Sequence, residues 1–265
     1  MNIKGKVVIV TGGSRGIGRG ISLSLAKEGA KVAVNYHRHP ENAKDTAKKI
    51  ESLGGEAMIA SADVTSSSQV KHMVASVIDK WGRIDVLVNN AGHIAGGGLL
   101  DITEEEWDKM MAVHLKGPFL CCKEVVPHMI KQRKDEKGWA GKIINISSVG
   151  GVAGQSVMHY CTAKGGLITL TQSLARHLAK FNIMVNVIAP GPTVSDLGSS
   201  EPNTEEKHEQ KRKWARESGK FPLGRIGEPE DIANAVLFLI SNDYITGETI
   251  SISGGWGTLY NELLM

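Results

Sequence analysis

Three cysteines, four phenylalanines and eight prolines in 265 residues exclude several architectures at once. Cys121, Cys122 and Cys161 are odd in number and have no metal-ligand spacing, so neither a disulfide framework nor a structural zinc site is expected from them. They read as reduced thiols filling a core. No apolar run approaches the roughly 20 residues of a membrane span. The opening M-N-I-K-G-K-V-V-I-V is too short in its apolar part for a signal peptide, and the end carries no lipidation signature. An excess of one charge is missing too. Against 28 acidic residues stand 31 basic ones, for a net charge of +3 spread along the chain, which argues against a nucleic-acid surface. There is no internal repeat and no linker. What remains is an ordinary composition, 41% hydrophobic and 22% charged, on a chain long enough for one large α/β domain with a substantial core. The expectation is a cytoplasmic, enzyme-sized domain with no membrane and no nucleic-acid partner.

What is present is alternation. Short apolar runs at Lys6–Val10, Lys31–Asn35, Glu56–Ala60, Ile84–Val88, Lys142–Ile146, Met184–Ile188 and Thr249–Ile252 predict strands. Helical patterns near Arg15–Glu28, Glu41–Leu53, Ser66–Trp81, Thr103–Gln132, Met158–Lys180 and Pro229–Ser241 fall between them. Regular β-α alternation implies a parallel sheet with helices on both faces. The chain reads as a single doubly wound Rossmann-type domain over 1–265.

Three stretches carry chemistry. The first β-α turn, T-G-G-S-R-G-I-G at Thr11–Gly18, places Gly12, Gly16 and Gly18 between a strand and a helix. Glycines let the backbone approach a pyrophosphate, and the helix amino end supplies N–H donors. Asp63-Val64 and Asn89-Asn90-Ala91-Gly92 end the third and fourth strands, beside the crevice where such sheets bind ligands. There Asp63 can meet an adenine amine or merely cap the next helix. The third stretch, Ser147 to Lys164, sets two hydroxyls at a strand end and then Tyr160 and Lys164 four apart, on one helical face. A phenol with a pKa of about 10 is a poor base near neutrality. An ammonium about 4 Å away supplies about 4 kcal/mol at an effective dielectric near 20, enough to lower it by about three units. A serine hydroxyl can hold the developing oxyanion.

Together T-G-x-x-x-G-x-G, N-N-A-G, Ser148, Y-x-x-x-K at Tyr160–Lys164 and P-G at Pro190–Gly191 resemble the short-chain dehydrogenase/reductase family, from about Lys4 to Gly255. The resemblance implies a seven-stranded, mainly parallel sheet, a nicotinamide cofactor and hydride transfer. It implies Tyr160 as acid/base, Ser148 holding the substrate oxygen, and Lys164 binding ribose hydroxyls and lowering the tyrosine pKa. The spacing from Ser148 to Tyr160 is about one residue shorter than usual, which leaves Ser147 as an alternative. Cofactor contacts are implied for Gly12, Ser14, Arg15, Gly16, Ile17, Gly18, Tyr36, Arg38, Asp63, Val64, Asn90, Ala91, Gly92, Tyr160, Lys164, Pro190, Gly191, Thr193 and Ser195. The family usually carries Asn in its fourth helix to support a proton relay to the lysine; here His114 stands there. An imidazole can donate, accept and titrate near neutrality, so a relay with a changed pH profile is expected, or a damaged one. His37, His93 and His159 read as solvated or loop residues.

In members that prefer NAD an acid near the end of the second strand takes the ribose 2′-hydroxyl. Here Tyr36 holds that place, no carboxylate occurs until Glu41, and Arg15 and Arg38 are available to a 2′-phosphate. NADP(H) is therefore preferred to NAD(H). The charged segment within 192–221 is implied to be a substrate lid. The apolar tail, 256–265, with Trp256, Leu259, Tyr260, Leu263 and Leu264, predicts a subunit contact, the other reading being packing on its own domain; the family implies a homotetramer. The expected reaction interconverts a secondary alcohol and a ketone, with a 3-oxoacyl thioester as the nearest resemblance and a sugar or polyol next. For a carrier-protein substrate Arg176, Lys131 and Arg133 offer a basic face, which the insertion 133–140 interrupts. Readings from other classes are a low-turnover cofactor-binding protein and a lyase or epimerase on the same site.

Overall fold

In the computed structural model, which describes residues 1–154, 157–198 and 204–256, the apolar runs build seven strands in one all-parallel sheet. They are β1 (Val7–Val10), β2 (Lys31–Tyr36), β3 (Glu56–Ser61), β4 (Val86–Asn89), β5 (Gly141–Ile146), β6 (Ile183–Pro190) and β7 (Thr249–Ile252). The helices are α1 (Gly16–Lys27), α2 (Pro40–Ser52), α3 (Ser67–Trp81), α4 (Glu104–Met111), α5 (Gly117–Lys131), α6 (Val149–Ala153), α7 (Met158–Leu178), α8 (Glu205–Glu217) and α9 (Pro229–Ser241). The strand order is β3-β2-β1-β4-β5-β6-β7. The direction of winding reverses between β1 and β4, and such a switch point opens a crevice at the strand carboxyl ends.

The strands are apolar throughout because both faces are covered. Val8 and Val10 of β1 point into one core with α1, α2 and α9, whereas Val7 and Ile9 point into the other with α3, α5 and α7. Ile144 and Ile143 of β5 divide in the same way. Cys121, Cys122 and Cys161 are buried cysteines outside any disulfide among the described residues, as core filler requires, and burial pushes the first two thiols well up.

Charged residues lie inside this core as well, Lys142 and Asp85 being the most deeply buried. Lys142 of β5 is 1% exposed, and its ammonium donates to the carbonyls of Leu239 and Asn242 and to Asp243 Oδ1 at 3.0 Å. The same carboxylate takes the amino-terminal ammonium at 2.7 Å and Lys137 at 2.8 Å. Desolvation pushes Asp243 upward, but these three donors outweigh it and hold the carboxyl far below its usual range.

The pattern expected to be one helix over Thr103–Gln132 is three pieces. α4 passes through a π-helical turn, Ala112–Lys116, into α5. Pro118 has no N–H to give, so the turn before it holds one donor fewer than an α-helix needs, and it widens. The charged segment, whose run of charges reads most simply as a solvated helix, does hold one, α8, whereas the single-turn α6 after Ser148 was not among the predicted elements.

Candidate active site

The crevice is assembled by a polar knot between the ends of β1 and β4. Thr11 Oγ1 accepts the backbone N–H groups of Asn90 and Ala91 at 2.9 and 3.0 Å. Asn90 Nδ2 donates back to the carbonyls of Thr11 and Gly12 at 2.9 and 3.2 Å. From β2, Asn35 Oδ1 accepts the Gly12 N–H. Gly18 is where this closeness is decided, since a Cβ there would lie 2.2 Å from the Gly12 carbonyl oxygen. Gly16 adopts φ +53 under the Ser195 side chain, which brings the loop after β6 over the turn.

The fit of a dinucleotide can be judged on what this turn leaves unsatisfied. Arg15, at the N-cap of α1, makes no side-chain cap, so the helix amino end keeps its donors. Its Nη1 is buried with no hydrogen-bond partner. A glycine cradle, open helix N–H groups and a buried orphan guanidinium donor suit a phosphate-bearing cofactor. Ser14 is buried, its carbonyl accepting Thr46 Oγ1 at 3.0 Å, and Ile17 packs against the core. Tyr36 leans on that core at the end of β2, with Arg38 exposed just beyond.

Asp63 accepts the Thr65 N–H and hydroxyl and lies 3.7 Å from His37, which is largely exposed. Burial pushes its carboxyl up and those bonds more than offset it, leaving it lowered. The cap of α3 is Ser66. Val64 is buried where a Cβ on Gly117 would strike it. Pro190 ends β6, Gly191 abuts Ser253, and Thr193 bonds the Gly191 carbonyl and bridges to Gly227. Lys211 of α8 donates to the Ser195 carbonyl, Arg212 clamps Glu228 at 2.7 Å, and His208 meets Asp196 at 3.3 Å. The charged segment therefore rests on the loop after β6. Trp256 stacks on Phe221 at 4.6 Å, so the start of the apolar tail packs on its own chain. Leu259, Tyr260, Leu263 and Leu264 lie outside the described residues.

At the other wall of the crevice Ser148, Tyr160 and Lys164 converge. Ser148 caps α6 through Gly150 N–H and hydrogen-bonds the Tyr160 hydroxyl. Ser147 is turned away, donating instead to the Lys164 carbonyl at 2.8 Å. This geometry favours Ser148 over Ser147. Lys164 Nζ lies 5.7 Å from the Tyr160 ring centroid and donates to the Ile146 carbonyl at 2.6 Å.

The electrostatics depart from expectation. Burial pushes the Tyr160 phenol up to about 12, although its bond with Ser148 works in the opposite direction. Burial also brings the Lys164 ammonium down to about 7. Desolvation dominates both groups, and no carboxylate is there to keep the lysine charged.

His114 also departs from expectation. It is 1% exposed, and burial first, then the Lys164 charge, holds its pKa well below the ordinary value against the bond to His93. Nε2 faces the His93 backbone, 2.6 Å from its carbonyl oxygen and 3.2 Å from its nitrogen; the shorter contact needs a proton on Nε2, and in that tautomer Nδ1 is a buried acceptor with no partner. The ring stands edge-on to Tyr160 at 5.2 Å and fills the space that a Cβ on Gly92 would need, 2.4 Å from Cε1. This is a neutral imidazole wedged behind the tyrosine, and it does not titrate near neutrality. His159 is fully buried in α7 with both ring nitrogens unpartnered, so it is neither the solvated nor the loop residue expected, whereas His93 is a loop residue, half-buried 5.5 Å from His114. A histidine immediately before the tyrosine of Y-x-x-x-K was the one signal for the former.

Among the described residues no group of His, Cys, Asp and Glu forms a metal site, and no helix is long and apolar enough to cross a membrane. The family model described as Enoyl-(Acyl carrier protein) reductase matches residues 12–257. The 3-oxoacyl-(acyl-carrier-protein) reductase FabG of Staphylococcus aureus is 42% identical over 94% of this chain and 97% of its own. That of Thermotoga maritima is 41% identical over 96% and 99%. Among solved structures, a short-chain type dehydrogenase/reductase from Mycobacterium marinum superposes with a TM-score of 0.83 at 32% identity, covering 97% of each chain. Acetoin dehydrogenase YohF from Salmonella typhimurium gives 0.83 at 31%, covering 97% and 99%. With these likenesses along its whole length and this crevice at its centre, the chain belongs to the short-chain dehydrogenase/reductase family, as an oxidoreductase that works with a nicotinamide cofactor on CH–OH and carbonyl groups.

Proposed function

We propose that the protein reduces a 3-oxoacyl thioester with NADPH, and that Tyr160, Ser148 and Lys164 carry the reaction. The convergence of two hydroxyls and a buried ammonium at the carboxyl end of β5 is the observation that carries the reading. When bound, the nicotinamide supplies the hydride. Tyr160 gives its proton to the substrate oxygen, which a protonated, high-pKa phenol is suited to do. Ser148 donates a hydrogen bond to that oxygen. Lys164 holds ribose hydroxyls and, once charged, returns the phenol's proton; His114 holds the Gly92-His93 backbone against the tyrosine.

The 2′-phosphate preference rests on Arg15, with its unpartnered Nη1, and on exposed Arg38. Gly12, Gly16, Gly18, Asn90 and the loop Pro190–Ser195 form the rest of the cradle. We further propose that the chain works in the cytoplasm as a homotetramer. In support, an apolar groove of about 620 Å³ runs along Met111, Leu115, Phe119 and Leu170 on the outside of α5 and α7. A mass equal to the single chain in sedimentation would end that part of the reading. The likeness to acetoin dehydrogenases favours a second reading, a small hydroxyketone as substrate. Rates of NADPH and NADH oxidation with an acetoacetyl thioester and with acetoin decide among these. The expected result is a higher kcat/KM for NADPH with the thioester. A higher value for NADH, or for acetoin, overturns the corresponding part.

A further inference from the structure

Two side-chain N–H donors, one in the glycine turn and one in the helix packed beside it, are buried without partners. One is Arg15 Nη1 and the other is Nδ2 of Asn42, in the first turn of α2. A buried donor left unmatched costs roughly 1–3 kcal/mol, so two in one neighbourhood ask for a shared acceptor. Their neighbourhood is fixed by contacts on either side. Asn42 stands one helical turn before Thr46, on the same face, and Thr46 Oγ1 donates to the carbonyl of Ser14, the residue preceding Arg15. Along the same two helices Arg19 grips Asp45 at 2.6 Å, which holds α2 against α1.

The charges around this point favour an anion. Asp45 is occupied by Arg19, and Glu41 is turned to His39 Nδ1 at 3.2 Å. Arg15 and the exposed Arg38 remain. The amino end of α2 is also uncapped: His39 at its N-cap makes no side-chain cap, so the first-turn N–H groups after Pro40 have no capping side chain. An orphan guanidinium donor, an orphan amide and an uncapped helix end thus belong to two segments that Thr46 and Ser14 hold together, just after the second strand's end.

We propose that Asn42 is a further specificity-determining residue, donating from Nδ2 to the 2′-phosphate of the cofactor beside Arg15. This rests on the NADP(H) reading above. A carboxamide supplies a hydrogen bond without adding charge, so it rewards the phosphate and is indifferent to a ribose hydroxyl-bearing cofactor. It also predicts an unusual signature. A residue whose donor is unmatched in the free protein contributes nothing to folding through that donor, so its removal leaves stability unchanged or raised.

The test is calorimetric titration of the full chain and of Asn42→Ala and Asn42→Asp with 2′,5′-ADP and with 5′-AMP, alongside thermal unfolding without ligand. The wild-type chain is expected to bind 2′,5′-ADP at least tenfold more tightly than 5′-AMP. Asn42→Ala should cut that preference by about tenfold, the size of one charge-assisted hydrogen bond, and Asn42→Asp should abolish it. Neither should alter 5′-AMP binding or lower the unfolding temperature. If wild type discriminates and Asn42→Ala discriminates equally, the assignment of Asn42 is wrong while the cofactor reading stands. If wild type shows no preference, the cofactor reading fails and the assignment with it. Loss of affinity for both nucleotides with a lowered unfolding temperature would make Asn42 a structural residue and overturn the proposal.

Discussion

At the scale of the residue, a buried tyrosine and a buried lysine face each other with no anion between them. Tyr160→Phe is expected to lower turnover by about 10²–10⁴, the range for general acid catalysis, with nucleotide binding intact by titration. Lys164 yields a prediction on stability. Its folded pKa of about 7 lies below the ordinary 10.5, so between those values the unfolded chain binds the extra proton. Stability therefore rises with pH across that window and is lowest below it. Lys164→Met should raise unfolding free energy at pH 7 by on the order of 3 kcal/mol and flatten its rise toward pH 10 in urea titrations. An unchanged or steeper rise would contradict a buried, reluctantly charged ammonium. The sequence made this pair legible by its four-residue spacing, and Ser148 by its place at a strand end. The direction of the tyrosine's shift was not legible, because it depends on how much water reaches both groups, and spacing carries no record of that.

At the scale of the element, the π turn between α4 and α5 presses His114 onto Gly92. Gly92→Ala would set a methyl 2.4 Å from Cε1 and is expected to cost about 1–3 kcal/mol. In a His114→Asn background, where the shorter side chain leaves room, most of that cost should vanish; a double-mutant cycle by chemical denaturation measures the coupling. Additive costs would mean that the imidazole is not what Gly92 makes room for. The alternation of strands and helices could be read to within one or two residues at most ends, since burial on both faces leaves continuous apolar runs. The π turn was hidden, although Pro118 marked it, because apolar periodicity continues across it. The burial of His159 was hidden as well, since a histidine next to a site looks the same in sequence whether it faces water or the core.

At the scale of the whole molecule, one carboxylate joins the chain's beginning, its central sheet and the end of α9. Asp243→Asn would strand the Lys142 ammonium among carbonyls and is expected to cost about 3 kcal/mol in denaturant unfolding. Because the folded Asp243 pKa is lowered, its contribution is fully present above the ordinary carboxylate range and is lost as pH falls from that range down through the folded pKa. A variant with wild-type stability at pH 7 would show that the three donors find equivalent partners. The parallel sheet followed from the alternation of strands and helices, yet this clamp did not, since Lys142 and Asp243 are 101 residues apart and meet only once β5 and α9 pack. The knot of Thr11, Gly12 and Asn90 has a different reach. It closes before any nucleotide arrives, so the ordering entropy of the first turn is spent during folding. Amide hydrogen exchange in the apo enzyme should therefore already be slow at 11–13, whose N–H groups are bonded to Val88 and Asn35, and adding nucleotide should slow it at the open helix end, 16–18, and along 204–221.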